Sequence, residues 1–203
     1  MKIRGPLITL AVVAAVGVGI LLVNIASEPD KPPAAAPATS PTTTTAAPAN
    51  PAPPPPAFPA KADYVGKIPT NNGVITLEIT VDGDNAIAYA CDGNTVEVWL
   101  RGGAANGVVN LTNKDKTSKL DGRLQGTSVA GTLNIGEKQW DFTAAPVQPP
   151  AGLYVYEQGG TRSSWIVDEN GAVTGVQRNP DGSTGPAPAL SSEATRVEGD
   201  SDV

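Results

Sequence analysis

AIAYACDGNTVEVWLRG, residues 86–102, reads as two runs of period two joined by a turn. In the first run Ile87, Tyr89 and Cys91 share one face and Ala86, Ala88 and Ala90 the other. In the second, Val96, Val98 and Leu100 face inward, and Thr95, Glu97, Trp99 and Arg101 face outward. Alternation at this period marks β-strands with two unlike faces, and Asp-Gly between two such runs marks a hairpin. Cys91, the only cysteine, therefore extends an apolar face, where a thiol behaves as a small hydrophobe. A reactive thiolate needs a histidine, a nearby cation or a helix N-terminus. Histidine is absent, which leaves a cation such as Arg101. The reading is a buried, inert cysteine, with an intermolecular disulfide as the alternative.

The same rhythm extends on both sides. In VITLEITV, residues 74–81, Ile75, Leu77, Ile79 and Val81 fall on one face, and Thr76, Glu78 and Thr80 on the other. Val129, Gly131, Leu133 and Ile135 share a face, as do Trp140 and Phe142. Asp82-Gly83, Asp92-Gly93, Asn106-Gly107, Asp121-Gly122 and Asn170-Gly171 punctuate these runs as turn dipeptides. The pattern predicts an all-β antiparallel meander over residues 62–178, forming a single small barrel or sandwich. Gly131 inside its strand suggests the bend that barrel closure requires.

Outside this domain the composition changes. Residues 1–6 carry Lys2 and Arg4, and an uncharged apolar run fills 7–26. About 20 apolar residues span a bilayer, and flanking positive charge favours the cytoplasmic side. The expectation is one transmembrane anchor with a cytoplasmic N-terminus, placing the rest of the chain outside the cytoplasm; a cleaved signal is the alternative. Residues 27–61 are rich in Pro, Ala and Thr and predict a disordered linker with polyproline II character. Thr42–Thr45 beside Pro41 have the composition of a glycosylated stalk, the alternative to a plain spacer. The acidic stretch 179–203 also reads as disordered.

Composition narrows the function. A net charge of −6 argues against a nucleic-acid partner, which needs a basic face. The absence of histidine removes His-dependent triads and most zinc sites. Asp82 and Asp84 have calcium-loop spacing, but Ala86 stands where a third ligand belongs. No catalytic, cofactor-binding or metal-binding residue emerges. Paired carboxylates such as Asp92, Glu97 and Asp141 leave a carboxylate-dependent hydrolase open. Among the aromatics, Trp165 reads as core. Trp99 lies on the polar face of its strand between Glu97 and Arg101, and these three form the candidate partner-binding surface.

The runs AYACDGNTVEVWLRG, NGVVNLTN, DGRLQGTSVAGTL, WDFTA and AGLYVYE resemble small exported domains of actinobacterial membrane-anchored proteins. The resemblance covers roughly residues 64–178 and implies the topology and the location; it brings no activity and no catalytic residue. The reading is a membrane-anchored, extracytoplasmic β domain of the cell envelope. It is expected to be a non-enzymatic binding or structural module whose partner is an envelope protein or a cell-wall glycan; the alternative is a carboxylate-dependent envelope hydrolase.

Overall fold

The computed structural model describes residues 56–200, so the anchor at 7–26, most of the linker and residues 201–203 lie outside it. All thirteen elements among the described residues are strands. The first eight are β1 (Lys61–Thr70), β2 (Gly73–Asp82), β3 (Asn85–Cys91), β4 (Glu97–Ala105), β5 (Val108–Thr112), β6 (Ser118–Gln125), β7 (Ser128–Ile135) and β8 (Lys138–Val147). Each pairs antiparallel with the next, and β8 returns to β1 to close a barrel. The meander is therefore a barrel, and the hairpin of residues 86–102 is its β3–β4 pair.

The inward sets match the alternation. Ile75, Leu77, Ile79, Val81, Val98, Leu100, Val129, Leu133 and Phe142 form the lumen core, joined by the small residues Ala86, Ala88 and Ala90. Asn106 and Gly107 both have positive φ, 52° and 71°, as the tightest two-residue hairpin turn demands. Asp121-Gly122 differs from the expectation. It sits inside β6, opposite Gly131 of β7, and makes no turn. A Cβ at Gly131 would overlap the Asp121 carbonyl, and one at Gly122 would press on Val109, Val129 and Phe142. These glycines let two strands approach closely and leave room for the Phe142 ring. The β6–β7 turn falls instead at Gly126-Thr127.

The last quarter of the chain was not expected to form a separate layer. Strands β9 (Gly152–Gln158), β10 (Thr161–Val167), β11 (Val173–Arg178), β12 (Thr184–Pro186) and β13 (Thr195–Arg196) make a five-stranded sheet in the order β12-β11-β10-β9-β13. Its inner face, with Leu153, Ile166 and Val176, packs on the outer face of β1 and β3, where Val65, Ile87, Tyr89 and Cys91 form a second core.

Two boundaries change as a result. The stretch 179–203 was expected to be disordered, yet through residue 200 it contributes β12 and β13 and buries Val197 completely. Trp165, on the outer face of the sheet, is 1% exposed and donates its indole N–H to Pro188 O at 2.8 Å. The tail is thus held by a few anchors rather than by a continuous apolar stripe. At the other end, Phe58 lies within the expected linker, but packs against the barrel core and meets Tyr64 edge-on at 6.0 Å.

Candidate functional site

Glu97, Trp99 and Arg101 share the outer face of β4, as the two-fold alternation requires. The second sheet changes what that face means. Strand β10 brings Arg162 and Ser164 to it, β11 brings Arg178, and β3 supplies Tyr89.

Glu97 is the hub. Its side chain is 1% exposed, and Oε2 accepts from Arg178 Nε at 2.7 Å. Oε1 receives the Trp99 indole N–H at 3.4 Å, and the Tyr89 and Ser164 hydroxyls at 3.5 Å each. Contacts of that length are weak, so the Arg178 pair does most to offset the desolvation of the carboxylate.

Trp99 was expected to point outward, to solvent, the linker or a partner. It is half-buried and packs against the second core. Its ring lies 4.5 Å from Tyr89, tilted by 47°, and the Arg162 guanidinium sits 4.4 Å from its centroid. The cation over the ring is Arg162, not the neighbouring Arg101. Burial lowers the affinity of Arg162 for its proton, opposed by the charges of Glu97 and Glu157. Its Nε and Nη2 are buried without a hydrogen-bond acceptor, so the indole face is the partner for that part of the cation.

Arg101 stays exposed and pairs with Asp200 of the tail. It borders a groove of about 540 Å³ together with Glu97, Trp99, Lys114, Asp115 and Arg178. All three residues singled out on β4 therefore line one depression, two of them mostly through what they hold in place. Arg178, which lines it, and Arg162, which caps Trp99, were missed. They lie more than 60 residues further along the chain and arrive through a sheet that the alternation of β4 cannot reveal.

A second polar cluster lies under the sheet. Arg196 of β13 donates from Nη2 to Asp63 Oδ2 at 2.7 Å and to Ala151 O at 3.3 Å. Glu78, fully buried, accepts from Thr80 Oγ1 at 2.9 Å. Burial, and next the charge of Asp63, hold its carboxyl well above the usual range, which favours its protonated form. Glu78 has no route to solvent, and this carboxyl pair offers a substrate at most the Asp63 side.

The remaining candidates are structural in place. Cys91 is buried against the second sheet, and burial pushes its thiol up to about 12. Asp92 Oδ1 accepts the backbone N–H groups of Asn94, Thr95 and Val96 at 2.9 Å each, which fixes the β3–β4 turn. Among the described residues no three His, Cys, Asp or Glu side chains gather as metal ligands would. No protein-family model, curated protein or solved structure matches the chain.

Proposed function

We propose that the chain is a membrane-anchored envelope protein whose β domain, carried outside the cytoplasm on a Pro/Ala/Thr linker, acts as a non-enzymatic binding module. The observation that carries this reading is the groove beside β4. Exposed Arg101 and Lys114, half-exposed Trp99 and the Glu97–Arg178 pair border one depression. A packed aromatic with a polar, charged rim has the make-up of a protein-binding hot spot. The apolar run at 7–26 supports the anchor, and the resemblance to exported actinobacterial domains supports the location. The hydrolase reading has less support, because Glu78 is sealed inside and Glu97 is held by Arg178.

The test is cross-linking capture with the full-length protein in its own membranes. A partner captured by the wild-type chain should be lost with Arg101→Ala at unchanged melting temperature. Trp99→Ala should weaken capture by about 2 kcal/mol or more, with some loss of stability because the ring also packs on the second core. Undiminished capture by both variants would place the binding surface elsewhere.

A further inference from the structure

The groove has a chemical bias. Of its two carboxylates, Glu97 is sealed and committed to the protein, while Asp115 is exposed with one oxygen tied into its own turn. Glu97 accepts from Arg178 and three weaker donors. Asp115 Oδ1 accepts from the Thr117 hydroxyl at 2.7 Å and the Thr117 N–H at 3.2 Å, inside its own turn. The donors are not committed in the same way. Arg178 uses Nε on Glu97 while its side chain stays 47% exposed, and Lys114 stands in the exposed β5–β6 turn without an ion pair among the described residues. Three cationic side chains, Arg101, Lys114 and Arg178, stand against one sealed carboxylate and one exposed one, and that excess of N–H donors favours an anion.

One anion already sits at its edge. Asp200 reaches Arg101, three residues beyond Val197, which is sealed in the second core. This is a peptide carboxylate seated on a groove arginine. Both partners are about half exposed, 44% and 54%, so the pair is weak and exchangeable. A sugar ring fits less well. Stacking needs a bare aromatic face, and the Trp99 ring already carries Tyr89 and Arg162.

Building on the binding-module reading, we propose that the Arg101–Lys114–Arg178 groove takes an acidic segment of a partner protein through its carboxylates. The chain's own tail, through Asp200, competes weakly for the same edge. The partner's carboxylates replace Asp200 on Arg101 and add bonds to Lys114 and to the outer nitrogens of Arg178. The Glu97–Arg178 pair stays intact beneath and fixes the angle at which that guanidinium is offered.

The experiment uses the full-length protein in detergent and a fluorescent peptide of about ten L-glutamates, read by anisotropy at low salt. Decaglutamine and polygalacturonate serve as the uncharged and glycan controls. Decaglutamate should bind, decaglutamine should not, and added salt should weaken the complex. Lys114→Glu, a change in an exposed turn, should weaken binding about 10-fold, and Asp200→Asn should tighten it about 2- to 5-fold. Failure of decaglutamate to bind, or indifference to Lys114→Glu, would overturn the proposal. So would equal, Lys114-dependent binding of polygalacturonate, which would make the groove a reader of acidic glycans. If the peptide fails while membrane capture still depends on Arg101, only this inference falls. If capture is also indifferent to Arg101 and Trp99, the groove is not the binding surface and that part of the binding-module reading falls with it.

Discussion

Strands β2 and β8 are written in the same alternating style but live in different surroundings. On β8 the outward residues Gln139, Asp141 and Thr143 are exposed, as a barrel wall facing water should show. On β2 every residue from Ile75 to Val81 is buried, including outward Thr76, Glu78 and Thr80. The second sheet covers β2 and leaves β8 open from Gln139 to Thr143, while Val147 at its end joins the second core. Alternation assigns side chains to the two sides of a strand; it does not say which sides meet solvent. The covered polar side chains answer by pairing or by losing charge. Thr76 bonds Thr174 across the layers at 3.3 Å, Thr80 donates to Glu78, and burial holds the Glu78 carboxyl well above the usual range.

The contrast between the covered and open walls can be tested by substitution. The largest effect should come from Leu153→Ala, which opens a cavity where the sheet meets the barrel. It should cost about 2–5 kcal/mol in urea unfolding. If the layers are one cooperative unit, tryptophan fluorescence and circular dichroism should shift together. Separate transitions would make the sheet an independent cover. Glu78→Gln should act through pH. The raised carboxyl binds its proton more tightly when folded than when unfolded. That stabilisation is complete at acid pH and is lost as pH rises from the ordinary glutamate range through the raised value. The variant should flatten this decline and be more stable than wild type at alkaline pH. An unchanged pH profile would show that Glu78 is not the group being titrated. Thr143→Ala, on the open wall, should stay within about 0.5 kcal/mol. A larger loss would mean that this wall too is covered.

The barrel was legible because its signals are local. Hairpins at Asp82-Gly83, Asp92-Gly93 and Asn106-Gly107 each join two alternating runs, and register follows from turn length. The second sheet was not separable, because Leu153, Ile166 and Val176 look like any other inward residues until their partner layer is known. The tail was misread for a related reason. A stretch rich in Gly, Pro and Ser can be held by single anchors, here the Trp165–Pro188 bond, the Arg196–Asp63 pair and buried Val197. At the candidate site, period two placed Glu97, Trp99 and Arg101 on one side. It could not foresee that Arg162 would cap the indole or that Arg178 would neutralise Glu97.

Closure of the barrel by β1 and β8 also bears on crowding. A strand with unpaired backbone groups along one side is a template for the next molecule, and proteins packed closely on a surface meet each other's edges often. Strands β2 to β7 are paired on both sides, and β1 meets β8 over Asp63–Val65 to close the ring. The sheet that remains open ends in β12 and β13, of three and two residues, too short to recruit a neighbour's strand. Many copies could therefore stand side by side without their domains fusing into fibres.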